Sequence, residues 1–250
     1  MSKIVACIDN SAAAHPVLAA ARAIAPVLGA SVEAVHVVED GDRNSRAAAR
    51  SMGIPFRSLH GDPLSQITMA SAAPDVAAVV IGARALPTGG RTGHVALAVA
   101  NGVDTPVLVV PPDAQPPAVV RRVLIAMEGT QANARNLKHA IELAADAALE
   151  IIVVHVDDKD SIPSFSDQAH YETEAYSKEF LARNVPGAAT ARLELRIGEP
   201  VDEILGAAEH VGADLLAIGW RQSDDPSRGP VAHALVNRSH LPIFLVALQS

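Results

Sequence analysis

Apolar residues in this chain come in short unbroken runs, alternating with stretches where they return every third or fourth position. Residues 3–8 form such a run, as expected of a strand buried on both faces of a sheet. Leu18, Ala21, Ala25 and Leu28 follow, spaced to line one face of a helix that Pro26 should kink or end. Ser11 stands where its N-cap hydroxyl is expected. Residues 32–38, 56–60, 76–82 and 107–110 read as further strands. Asp62-Pro63 places an acid before a proline, a helix-start signal, and the helix after it should bury Leu64 and Ile67. Strands alternating with helices imply a parallel sheet with right-handed crossovers.

The pattern then repeats. Ile4-Val5-Ala6-Cys7-Ile8-Asp9-Asn10-Ser11 returns as Val123-Leu124-Ile125-Ala126-Met127-Glu128-Gly129-Thr130. His36-Val37 matches His155-Val156, Gly61-Asp62-Pro63 matches Gly198-Glu199-Pro200, and Ile81-Gly82 matches Ile218-Gly219. Pro106-Val107-Leu108 matches Pro242-Ile243-Phe244. The offset is 119 up to the histidines and 137 at the two glycine landmarks after them, so the second copy carries an 18-residue insertion. A period this long denotes two whole domains rather than a solenoid. Leu137, Ala140, Ala144 and Ala147 repeat the first helix, with Thr130 at its N-cap. Strands are expected at 151–156, 191–197, 214–219 and 243–246, and the helix from Pro200 should bury Val201, Ile204 and Leu205. The insertion falls around 167–183 and lengthens a helix bearing Tyr171, Tyr176 and Phe180; its first-copy counterpart is 43–51. The proline-rich run 111–117 suits an extended, semi-rigid linker. The expected division is domain 1 at 1–112, linker at 113–118 and domain 2 at 119–250.

Composition narrows the chemistry. Aromatic residues make up only 3% of the chain, so the core must be built from Val, Ile, Leu and Ala, and base stacking is disfavoured. Residues 1–118 carry eight Lys/Arg against nine Asp/Glu, and the remainder twelve against nineteen. The halves are thus −1 and −7, with no basic run longer than Arg121-Arg122 and no nucleic-acid footprint. No apolar stretch is long enough for a membrane span. Met1-Ser2-Lys3 leads straight into the first strand pattern, so no targeting segment is expected. The single cysteine, Cys7, has no internal disulfide partner and reads as a small buried hydrophobe in a reducing, cytoplasmic setting.

The ordered landmarks are strand–Asp-x-Ser at Asp9-Asn10-Ser11, His36-Val37, Gly61-Asp62-Pro63, Ile81-Gly82, Gly93-His94-Val95 and Pro106-Val107-Leu108-Val109-Val110. Together they resemble the universal stress protein domain, and the likeness spans nearly the whole chain in two tandem copies. The resemblance implies two α/β domains, each a five-stranded parallel sheet of the adenine-nucleotide-hydrolase-like kind with strand order 3-2-1-4-5, forming a pseudo-twofold pair. It also implies that the last strands, 107–110 and 243–246, associate antiparallel within one chain. Pairing of whole chains into a homodimer is a further implication. Many members of the family bind ATP through a loop of pattern G-x-x-G-x9-G-[ST]; others lack it and bind no nucleotide.

Both copies depart from that pattern. After Gly82 the second glycine is replaced by alanine, Gly93 comes two positions early, and His94 stands in place of the hydroxyl residue. This loop still carries Arg84, Arg91 and two adjacent glycines, so it can receive an anion at a helix N-terminus. The second loop is shorter still, Gln222 replaces the second glycine, Asp224 and Asp225 repel phosphate, and Pro230 removes a helix-start donor. The resemblance places Asp9 beside an adenine or ribose, whereas the second copy has the longer Glu128. The candidate nucleotide or anion cleft is therefore in the first copy: Asp9, Val37, Gly82, Arg84, Gly93, His94 and Val95. ATP or another adenine nucleotide is its expected ligand, though not an obligatory cofactor.

Other readings compete at several positions. Asp9 and Glu128 either touch a ligand or order the loop that follows. His36 and His155 are read as packed, hydrogen-bonded histidines. His155, Asp157, Asp158 and Asp160 read as a solvated acidic turn rather than a metal site. Trp220 either covers a ligand or plugs a vacated pocket, the second being favoured. No Walker A, G-x-G-x-x-G, nucleophile-elbow or zinc spacing occurs, so no catalytic residue is expected. Three functions stay open: a stress-response binding or regulatory module, a nucleotide sensor or slow ATPase using the first copy, and a scaffold that docks a protein partner through the Tyr171–Tyr176–Phe180 helix.

Overall fold

Why the strand runs are apolar throughout is plain from the computed structural model, which describes residues 2–39, 41–83, 94–157, 169–185, 190–223 and 229–248. The first half runs β1 (Lys3–Cys7), α1 (Ala14–Ile24), β2 (Ser31–Val37), α2 (Arg43–Ser51), β3 (Phe56–Leu59), α3 (Pro63–Ser71), β4 (Val76–Gly82), α4 (His94–Gly102) and β5 (Val107–Val110). The second runs β6 (Arg122–Ala126), α5 (Gln131–Asp146), β7 (Glu150–Asp157), α6 (Ala169–Asn184), β8 (Arg192–Ile197), α7 (Pro200–Val211), β9 (Leu215–Trp220), α8 (Pro230–Arg238) and β10 (Ile243–Ala247). The strands form one ten-stranded sheet in the order β3-β2-β1-β4-β5-β10-β9-β6-β7-β8. Each half has the order 3-2-1-4-5, and the halves meet strand five to strand five.

That junction is the antiparallel pair expected from the sequence, with Phe244 opposite Leu108 between the pairs Ile243–Val109 and Leu245–Val107. Every other strand pair is parallel. The pairing removes what would be a bare apolar edge on each half, since β5 is buried along its whole length. Further bonds hold the halves together beside it. The Trp220 indole N–H and the Ser223 amide donate to Asn101 Oδ1 at 3.0 and 3.2 Å, and Gln222 Nε2 donates to the Val103 carbonyl at 2.7 Å.

Two apolar layers sandwich the sheet. Ile4, Ala6, Val123 and Ile125 point to the layer covered by α1, α2, α5 and α6. Val5, Cys7, Leu124 and Leu216 point to the layer covered by α3, α4, α7 and α8. Alternation of side chains along each strand therefore feeds two cores, which accounts for the unbroken apolar runs.

Local expectations differ at three places. Helix α1 begins at Ala14 with Ala13 at its N-cap, so Ser11 is not the cap; its hydroxyl oxygen accepts the Ala13 amide in the preceding turn at 3.1 Å. Leu64 is 39% exposed, because α3 turns Ile67 and Ser71 inward instead. Asp62 caps α3 by accepting the Ser65 amide at 2.9 Å, whereas Glu199 at the matching place makes no side-chain cap bond to α7. The extra methylene of glutamate makes it a poorer cap than aspartate.

Candidate functional site

In each half the chain leaves neighbouring central strands toward opposite faces. From β1 it passes to α1 on one layer, and from β4 to α4 on the other. The same split separates α5 after β6 from α8 after β9. A cleft opens at such a switch point, beyond the carboxyl ends of the strands.

In the first half, Asp9, Val37 and Gly82 stand at the carboxyl ends of the adjacent strands β1, β2 and β4. Val95 lies in the first turn of α4, which His94 opens. Arg84 and Gly93, like Arg91, lie outside the described residues. The Asp9 Oδ1 atom accepts the Ser11 amide at 2.9 Å and the Ser11 hydroxyl at 2.6 Å, so this carboxylate orders the loop after β1. Asn10 then ties that loop to the next crossover. Its Nδ2 donates to the Gly41 carbonyl at 2.9 Å, and its Oδ1 accepts the amide and hydroxyl of Ser45 at 3.1 and 3.0 Å. Buried His36 fits between two carbonyl oxygens, with Nδ1 2.9 Å from that of Ile8 and Nε2 3.0 Å from that of Gly41. The ring thus lies between two backbone segments and its N–H donates to one of these carbonyls.

Electrostatics in this half centre on Asp42, whose carboxyl is held below its ordinary range chiefly by the hydrogen bond from Arg46, then by that from Ser58. Cys7 is buried, and loss of solvation pushes its thiol up to about 12. A neutral thiol is a poor nucleophile, so Cys7 is inert core.

The second half repeats the histidine bond but not the clamp. His155 Nδ1 lies 2.8 Å from the Met127 carbonyl oxygen, as His36 does from Ile8, and Nε2 is 3.3 Å from Asp157 Oδ1. Where Asn10 would be stands Gly129, with φ +76°; a Cβ there would come within 3.1 Å of the Phe180 ring and 3.3 Å of His155. Phe180, supplied by α6, the lengthened counterpart of α2, packs on His155 with ring centroids 4.8 Å apart.

Above this half of the sheet lies a cavity of about 370 Å³. Ala126, Met127, Val154 and Val156 form its floor at the ends of β6 and β7. Ile204 of α7, Ile218 of β9, and Val231 and Leu235 of α8 form its walls, with Leu248 just past β10. Among the described residues two charged side chains reach the lining, Glu128 and Arg221, and both are exposed. Pro200 and Pro230 open α7 and α8 against it.

The sequence reading had Pro230 as a lost anion donor but missed that the vacated space would be aliphatic. Val154 and Val156, alternating at a strand end, carried that signal; Leu248, beyond the last periodic run, carried none. Trp220 neither covers nor plugs this cavity. It is 1% exposed, bonded to Asn101 of the other half and in tilted ring contact with His233 at 4.8 Å between centroids. The scaffold surface on α6 is also smaller than expected. Phe180 is 7% exposed and belongs to the core, Tyr176 is 40% exposed, and the Tyr171 side chain lies outside the described residues.

Among the described residues no cluster of three or more His, Cys, Asp or Glu is placed to hold a metal. No helix among them is long and apolar enough to cross a membrane.

Comparison with known proteins adds a family and a fold. The model of the Universal stress protein family matches residues 120–247. A universal stress protein from Archaeoglobus fulgidus DSM 4304 is similar over 99% of this chain and 98% of its own, with 18% identity and a TM-score of 0.68. A protein of unknown function from Pseudomonas aeruginosa PAO1 is similar over 99% of this chain and 93% of its own, with 15% identity and a TM-score of 0.69. No curated protein matches. At these identities the two structures share the fold across both halves.

Proposed function

The chain belongs to the universal stress protein family, and from that premise we propose that it is a cytoplasmic stress-response binding and regulatory module that holds ligands rather than converting them. Its working units are domain 1 at 1–112 and domain 2 at 119–250, joined by the linker 113–118. Adenine nucleotide is not obligatory. Where it binds, it takes the first-half cleft, contacting Asp9, Val37, Gly82, Arg84, Gly93, His94 and Val95.

The observation that carries this reading is the contrast between the helix starts at the two clefts. Helix α4 opens with His94 and Val95, which keep their backbone N–H groups for a phosphate. Its counterpart α8 opens with Pro230 and so lacks one such donor. The proline starts of α3 and α7 are common to both halves, but Asp202 and Glu203 add negative charge to the first turn of α7 where α3 has none. A first-half phosphate would also gain from Arg84, and a ribose hydroxyl could donate to the Asp9 carboxylate. Among the described residues none beside either cleft is arranged as a general base with a positioned nucleophile.

The test is a thermal-shift titration with ATP, ADP and AMP, with and without magnesium. A ligand at 100 times its Kd should add roughly 2.7 kcal/mol of stability. The shift should vanish in Gly93→Trp and persist in Gly229→Trp. The reverse pattern would mean that the clefts are assigned the wrong way round, and steady ATP hydrolysis would mean that the protein is an enzyme.

A further inference from the structure

We infer that the second-half cavity is a binding site for an uncharged, largely apolar small molecule. Its volume of about 370 Å³ falls within the range of small-molecule sites and is too small for a folded partner. Its floor and walls are aliphatic side chains brought from three strands and two helices, among them Val156, Ile204, Ile218 and Leu235. Water gains less there than in a polar site, because a buried water needs two to four polar partners and the floor and walls are mainly aliphatic. Left empty, apolar space of this size lowers stability in proportion to its volume. A ligand that fills it recovers those contacts.

The same cavity discriminates by charge. Both helices that begin at its mouth open with proline, so each offers an anion one N–H donor fewer, and Asp202 and Glu203 add negative charge to the first turn of α7. Among the described lining residues the only charged side chains, Glu128 and Arg221, are exposed and opposite in sign, so they give no net pull on an ion. What remains is the hydrophobic effect, which selects for apolar surface and against a phosphate tail. This inference goes beyond the proposed function, which requires nothing of the second cleft except that it refuse nucleotide.

The probe is N-phenyl-1-naphthylamine, an uncharged dye that brightens in apolar surroundings, titrated into the full-length protein. The chain has one tryptophan, Trp220, and its neighbours Gly219 and Arg221 both line the cavity. Dye bound there must therefore quench Trp220 and emit by energy transfer. The expected result is saturable binding of one dye per chain with sensitised emission. Val231→Phe, which narrows the cavity from the first turn of α8, should weaken binding at least about tenfold. Met69→Ser, which removes the most exposed large apolar side chain among the described residues, should leave binding unchanged. ATP should not displace the dye. No saturable binding, binding without energy transfer from Trp220, loss in Met69→Ser instead of Val231→Phe, or displacement by ATP would each overturn the inference. If Val231→Phe fails to fold, the amide shifts that the dye causes in the unaltered protein decide the matter, because they must fall on Gly219, Val231 and Leu248, which line the cavity. Absence of dye binding leaves the first-cleft nucleotide reading standing, since that rests on the ATP titration alone.

Discussion

The loop after the first strand of each half follows one backbone plan with two different fastenings. In the first half Asn10 bridges Gly41 and Ser45 through three polar contacts. In the second, Gly129 makes room for the Phe180 ring, which reaches it from the lengthened helix α6. The histidine-to-carbonyl bond is common to both, from His36 to Ile8 and from His155 to Met127. A duplicated fold thus kept the bond that positions the strand ends and changed the material around it. The half with the polar clamp is the one whose cleft is expected to meet an anion; the half with the aromatic clamp encloses an apolar cavity. Lengthening of one helix and divergence of the cleft belong to the same half.

The comparison breaks most visibly at Phe180. Phe180→Ala should cost about 3–5 kcal/mol in chemical denaturation, because it empties a buried aromatic site at the heart of the second fastening. A loss below about 1 kcal/mol would show that the aromatic clamp is ornamental. Gly129→Ala should cost about 1–3 kcal/mol, since alanine is strained at this positive φ and its Cβ crowds the Phe180 ring. Asn10→Ala should cost about 1–2 kcal/mol from lost hydrogen bonds at a partly buried site. The polar fastening is the weaker of the two.

The smallest expected contrast is between the two acid–proline helix starts. Asp62→Ala should lower stability at neutral pH, and Glu199→Ala should change it less, because only Asp62 caps its helix. Hydrogen bonds from the Ser65 amide and hydroxyl hold the Asp62 carboxyl below its ordinary value of 3.8. A folded-state pKa that is lowered contributes stability above the unfolded value, and that contribution fades as pH falls through the folded value. The difference between Asp62→Ala and the parent should therefore shrink below about pH 4. A difference that grew in acid would mean that Asp62 is not capping as an anion.

Much of this architecture could be read from residue order. Two passes of the same landmarks yielded the strands and their parallel pairing, because burial on both faces forces unbroken Val, Ile, Leu and Ala runs. The apolar strands 107–110 and 243–246 pointed to each other because neither can be left as an edge. Side-chain direction was less accessible. Ser11 and Leu64 were misplaced because helix start and helix phase each shift by a residue or two without disturbing the pattern. Trp220 was misassigned because its partner, Asn101, comes from the other half, and no local spacing encodes a contact across 119 residues. The cavity was missed for a related reason: it is bounded by five elements, and no one of them announces a void.

Amide chemical-shift mapping of one isotopically labelled sample, titrated first with N-phenyl-1-naphthylamine and then with ATP, tests the divergence of the clefts most directly. The account predicts that the dye shifts Gly219, Val231, Ala232 and Leu248 while ATP leaves them in place, any ATP response falling on Asp9, Val37, Gly82 and Val95. ATP shifts centred on Gly219 and Val231 would contradict it.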